Sequence, residues 1–258
     1  MVATTLLRPP PDELLLPVGD VLAFFDAASG DHITTGLRCC LVLRHGGKLL
    51  GRSVATASGL HLWPDLAEHW RQPQVPAYAD VLVRDDLQRF QPLSLPWPLP
   101  GRPMGQIVST TALGATRVVR VNLHGAPTRR PPPDMASVYG VLAWQADGAP
   151  AAWARVRLID GDGRVHEGAS DAEGRFGMHL PRPPVELQVF AEPTMAEVSL
   201  GLGAPDVLAF AQQPAAHALA DVGGSAAYAP PAFTAGEPLI LATQGLPPAH
   251  RELRLVPV

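Results

Sequence analysis

The sequence predicts an all-β chain built as two β-sandwiches in tandem, with Pro-rich connectors and an extended C-terminal segment. Three observations predict it. Pro (29) and Gly (24) punctuate the 258 residues too densely for long helices and suit short strands joined by turns. Short apolar runs with period-2 alternation recur between turn residues such as His45-Gly46-Gly47-Lys48 and Asp160-Gly161-Asp162-Gly163. One phrase of strands and turns occurs in both halves of the chain.

In the first half, Val18 to Phe25 reads as a strand, Ala27 to Asp31 as a turn and Leu37 to Leu43 as a second strand. The turn at His45 to Lys48 leads into a strand from Leu49 to Thr56, and the turn Ala57-Ser58-Gly59 into Leu60 to Trp63, stopped by Pro64. Ala79 to Arg84 and Arg89 to Leu95 flank the turn Asp85 to Gln88, and Ile107 to Leu123 adds strands.

In the second half, strands are expected at Ser137 to Gln145, Ala152 to Ile159, Arg164 to Ala169, Arg175 to Leu180 and Val185 to Ala191. Gly174 supplies backbone freedom to the turn before Arg175, and Phe176 or Met178 points inward. Residues 153–181 repeat residues 37–66 in pattern: apolar strand, Gly-containing turn, Gly-interrupted strand, small-residue turn ending in Gly, alternating strand ending in Pro. In that alignment Leu60-His61-Leu62-Trp63 faces Arg175-Phe176-Gly177-Met178.

Three consecutive prolines at 131–133 cannot enter a sheet interior and mark a border. The expected organisation is an extended arm at 1–17, a sandwich at 18–125, a Pro-rich linker at 126–134, a second sandwich core at 135–192 and an extension at 193–258 that packs on its own domains or on a neighbour. Between Pro183 and His250 there is no Lys or Arg. Val207 to Gln213 reads as a short helical stretch, Leu239 to Thr243 and Leu253 to Val256 as strands.

Composition excludes some functions. A net charge of −4 gives no electrostatic case for nucleic acid or an anionic membrane. No run of 18 apolar residues spans a membrane, and no charged start with an apolar run marks a signal peptide, so synthesis in the cytoplasm is expected. Cys39 and Cys40 are adjacent, a poor geometry for a disulfide; on a strand they point to opposite faces and act as small apolar residues.

No catalytic, cofactor or metal residue is expected. There is no Gly-x-Ser-x-Gly elbow, His-Glu-x-x-His or Cys-x-x-Cys. His61 and His69 read as a strand-surface and a loop histidine. Asp160 to Gly163 lacks the third oxygen ligand and the distal Glu of a calcium loop and reads as a hairpin turn. Asp85 with Asp86 and Asp171 with Glu173 fall at expected solvated turns, where no burial raises a carboxyl pKa for acid catalysis.

The stretch Val141 to Ala191 resembles the carboxypeptidase-regulatory-like family, on Gly148-Ala149-Pro150, "ARVRLIDGDGRV" and "GASDAEGRFGMHLP". The resemblance implies transthyretin-like or Ig-like sandwiches of an accessory, non-enzymatic kind. Hydrolases of transthyretin-like fold would end in Tyr-Arg-Gly-Ser, whereas this chain ends Arg-Leu-Val-Pro-Val. The phrases "VLVRDDLQRFQPLSLPWPLP", "HGAPTRRPPPDMASVYGVL" and "GAPAAWARV" also resemble uncharacterised proteins of bacterial phage-tail-like contractile injection particles.

Together these readings point to a non-enzymatic structural subunit whose partners are other protein subunits or further copies of itself. Its expected contact residues are Leu14, Leu15, Leu16, Trp70, Trp97, Phe210, Tyr228 and Phe233. Trp70 and Trp97 fall in Pro-rich loops and, if exposed, would equally serve the alternative of a carbohydrate- or ligand-binding module. Trp63 and Trp144 sit in alternating strands as core residues.

Overall fold

The computed structural model describes residues 19–44, 48–64, 66, 79–97, 106–113, 116–132, 134–182, 184–191, 197–198, 207–208, 215–221, 224–225, 237–243 and 251–257. Between 185 and 225 the description is of backbone alone. Every regular element among these residues is a strand.

The first sandwich contains β1 (Gly19–Asp26), β2 (Leu37–Leu43), β3 (Leu49–Arg52), β4 (Val54–Ala55), β5 (Leu60–Leu62), β6 (Ala79–Asp85), β7 (Leu93–Trp97), β8 (Ile107–Leu113) and β9 (Thr116–Leu123). One sheet has the order β4-β5-β1-β9-β8 and the other β3-β2-β6-β7. Alternate residues of both sheets meet in one core that includes Leu22, Phe24, Leu41, Val81, Leu95, Val119 and Val121. Burial of these side chains, at about 25 cal/mol per Å² of apolar surface, is what holds the two sheets face to face.

The expected strand from Leu49 to Thr56 divides at Ser53. β3 pairs with β2 in one sheet and β4 with β5 in the other. Ser53 sits at the corner, its N–H donating to the Cys39 carbonyl at 2.9 Å and its Oγ 2.9 Å from His61 Nδ1. Cys39 lies in the main core, and Cys40 in a second buried cluster with Val42 and Leu82. The adjacent cysteines therefore occupy opposite faces of β2, as strand alternation dictates.

The second sandwich contains β10 (Ala136–Trp144), β11 (Arg155–Asp160), β12 (Val165–Ala169), β13 (Arg175–Leu180) and β14 (Pro184–Ala191). Chain-terminal strands complete it: β17 (Ala215–Asp221), β18 (Gly224–Ser225), β19 (Leu239–Leu241) and β20 (Glu252–Pro257). The order is β12-β11-β14-β17-β20-β10-β13, with β18 on β17 and β19 on β10. This sheet curls until its two ends touch, with no room for a side chain at Gly168 of β12, where a Cβ would come within 2.8 Å of Met178 on β13. Its core gathers Val138, Leu142, Val156, Phe176, Leu180, Leu241 and Leu253. Val207–Leu208, expected in a helix, form β16, which pairs with β15 (Glu197–Val198). Residues 209–213 of that expected helix lie outside the described residues.

The two sandwiches share one wiring, which supports duplication of a single unit. In the first, β1 pairs antiparallel with β5 and parallel with β9. In the second, β10 pairs antiparallel with β13 and parallel with β19 and β20. Registers agree residue by residue: Leu22 and Ala23 face His61 and Leu60, while Gly140 and Val141 face Phe176 and Arg175. Turns agree too. Gly30 N–H donates to Asp26 O and Gly148 N–H to Trp144 O, both at 2.8 Å, with φ of +77° and +72°. Gly59 and Gly174 both close their turns in the left-handed region, φ +79° and +74°.

Candidate functional site

Two features of the described chain bear on function: the seam between the sandwiches and the strands that end each sheet order. At the seam the chain leaves β9 and stays bonded to the first sandwich. Gln91 N–H donates to His124 O and Ala126 N–H to Arg89 O, each at 2.9 Å. Arg129 then turns its guanidinium back onto Asp26, Nη1 donating to Oδ1 at 2.9 Å and Nη2 to Oδ2 at 2.5 Å, and covers the Phe90 ring at 4.8 Å. The first half of the expected linker is thus built into the first sandwich.

The second sandwich abuts this surface. Gln91 Nε2 donates to Ala169 O at 2.6 Å. Gly177 lets the backbones close, because a Cβ there would stand 3.1 Å from Pro127 Cα and 3.0 Å from Tyr139 Cε1. His124 is buried here, and burial pulls its pKa down to about 4, with Glu167 opposing and Arg155 adding to the shift. Burial also lowers the pKa of His179, which stands 3.3 Å from Ser137 Oγ with its ring edge-on to Tyr139. For Asp26, burial pushes upward, but the hydrogen bonds from Arg129 and the Ala28 N–H hold the carboxyl below its ordinary value.

The second feature is apolar exposure at sheet ends. Leu49 on β3, Val54 on β4 and Val108 on β8 are 38, 52 and 40% exposed, and all three strands end a sheet order of the first sandwich; Val165 is exposed on β12, which lies against β13, and Leu87 and Ile240 are exposed at a turn and on β19. Val108 marks the irregular register between β8 and β9. β7, the remaining end of the first sandwich, carries Pro96 and has β16 lying against it.

Several sequence expectations need correction. Trp97 is not in a loop: it ends β7, is 3% exposed and meets Trp63 edge-on at 5.5 Å, so it is a core residue and presents no contact surface. Pro96 misled because an outermost strand tolerates proline. His61 is not on the surface; it is buried edge-on against Phe24, and burial lowers its pKa to about 4. Asp85 is not solvated. Its carboxylate is buried and accepts bonds from the Leu87 and Arg89 N–H groups and from Arg89 Nε. That turn holds Gln88 at φ +56° and delays β7 to Leu93.

Two local expectations hold, the hairpin at Asp160 and the inward side of β13. Asp160 to Gly163 is a hairpin turn, closed by Asp160 N–H to Arg164 O at 3.0 Å with Gly163 at φ +78°. Phe176 and Met178 both point inward. Leu14, Leu15, Leu16, His69, Trp70, Phe210, Tyr228 and Phe233 lie outside the described residues. Among the described residues no three His, Cys, Asp or Glu side chains group as metal ligands, and no helix is long and apolar enough to cross a membrane. The seam was not anticipated. Its only local signal is Arg129-Arg130 placed just ahead of the proline run.

No protein-family model matches the chain, the carboxypeptidase-regulatory-like family included, and no curated protein matches it. Solved structures with some likeness include the shaft pilin SpaA of Lactobacillus rhamnosus GG, with 9% identity over 68% of this chain and 87% of that one, at a TM-score of 0.23. The C-terminal fragment of the pilus adhesin SpaC of the same organism gives 9%, 73% and 94%, at 0.24. The Bacillus anthracis TIE protein gives 11%, 68% and 29%, at 0.21. Scores this low do not establish a common fold, so the all-β assignment rests on the strands described above.

Proposed function

We propose that this chain is a non-enzymatic structural subunit of a multi-protein assembly, specifically a connector or accessory component of a phage-tail-like contractile injection particle. It is made in the cytoplasm and contacts other subunits or further copies of itself. The observation that carries the reading is the placement of exposed apolar side chains on strands that end their sheets. An end strand offers backbone donors and acceptors to an incoming strand, and its apolar side chains bury on contact. The duplicated sandwiches provide a stiff body that holds these edges at fixed positions. The particle type rests on the short phrases in the sequence alone.

The carbohydrate-binding alternative loses one of its two platforms, because Trp97 is interior. The experiment is co-purification of the tagged chain from its native cells. Recovery with sheath, tube or baseplate proteins supports the reading. Recovery of the chain alone, as a monomer, rejects it.

A further inference from the structure

We propose that the seam between the sandwiches is an acid-operated junction: at neutral pH it fixes their relative orientation, and proton uptake by the histidines buried in it lets them part. Three independent ties cross or brace the seam. Gln91 reaches the Ala169 carbonyl, the Arg129 clamp on Asp26 and Phe90 fixes the connector, and Gly177 admits Pro127 at close range. The histidines stand on both sides. His124 ends β9 in the first sandwich, and its ring meets the Glu167 backbone of β12 in the second. His179, on β13, faces the Arg129 backbone.

The charged and titratable groups around them set the response. His124 faces Glu167 from β12 and Arg155 from β11. His179 faces Arg129 from the connector, Asp26 from the end of β1 and the Tyr139 ring from β10. A proton on His179 adds a cation beside Arg129, whose charge is already committed to Asp26. A proton on His124 is drawn by the Glu167 carboxylate and backbone, opposed by the Arg155 charge and penalised by burial, which is the largest influence on the ring. Parting the sandwiches hydrates both rings. Because the closed form holds His124 neutral down to about pH 4 while a hydrated imidazole protonates near pH 6.5, acid favours the open form about tenfold per pH unit in that window.

The test is small-angle X-ray scattering of the full chain between pH 7.5 and pH 4.5, with far-UV circular dichroism on the same samples. The expected result is a rise in radius of gyration on acidification while the strand signal persists. His124→Gln, which keeps a donor but cannot charge, should lower the pH of that rise by about one unit. Scattering that stays constant to pH 4.5 overturns the proposal, as does expansion that coincides with loss of the strand signal. An unchanged midpoint in His124→Gln also overturns it. If that variant does not fold, the His124 ring proton of the unmodified chain is followed by NMR. Titration in step with the expansion supports the junction, and titration near pH 6.5 with constant scattering overturns it.

Discussion

Arg129 and Asp26 are joined as a two-toothed clamp across 103 positions of sequence, with side chains only 13 and 6% exposed. The clamp fastens a Pro-rich connector onto the first turn of the first sandwich, so the border between the halves is a fitted joint. Truncating Arg129 to Ala leaves a buried carboxylate that still accepts the Ala28 N–H and the Ser29 hydroxyl. The expected loss is about 3 kcal/mol, read by urea unfolding. Asp26→Asn combined with Arg129→Ala should cost much less than the sum of the two single changes, because the pair acts as a unit.

Stability should fall with acid in a defined window. Burial keeps His61, inside the first sandwich, neutral in the folded chain down to about pH 4, whereas the unfolded chain takes up that proton near 6.5. Below pH 6.5 the unfolded state binds more protons, so stability drops as pH falls to about 4 and levels off beyond it. Between pH 7 and 4.5 His61 should remove about 2–3 kcal/mol, seen as a lower urea midpoint that is restored in His61→Gln. Asp26 acts in the same direction at still lower pH, its folded pKa being depressed.

The glycine turns offer a paired test. At Gly174, φ is +74° and a Cβ would stand 2.3 Å from the Leu142 carbonyl oxygen, so Gly174→Ala should cost well over 2 kcal/mol. At Gly163, φ is +78° with nothing within 4 Å of a Cβ, so Gly163→Ala should cost only about 1–2 kcal/mol from backbone strain. Equal costs at the two sites would contradict the description of the Gly174 turn.

The edges can be probed without touching the cores. Val54→Lys and Val108→Lys sit at 52 and 40% exposed positions and should leave unfolding free energy within about 0.5 kcal/mol. They should weaken capture of partner subunits, because a lysine on an end strand discourages strand addition. Undiminished capture by the double variant, in the same co-purification, would remove the edges from the binding surface.

Local chemistry explains what was legible in the sequence. Hairpins such as Asp160 to Gly163 and strands such as Leu37–Leu43 are written in adjacent residues, and the match of Leu60–Trp63 to Arg175–Met178 holds in hydrogen-bond register. What escaped is non-local. The corner at Ser53 depends on two sheets competing for one strand. The parallel pairing of β1 with β9 joins residues far apart in sequence. Burial of Asp85, His61 and Trp97 depends on neighbours that no window of sequence contains. The seam needed the fold itself, since Arg129 finds Asp26 only once both ends of the first sandwich are in place.

The decisive measurement is size fractionation of a native cell extract, with the chain detected by antibody. As a structural subunit it should elute with a high-mass particle and co-fractionate with other subunits. Elution of the whole population as a free monomer would contradict the assignment.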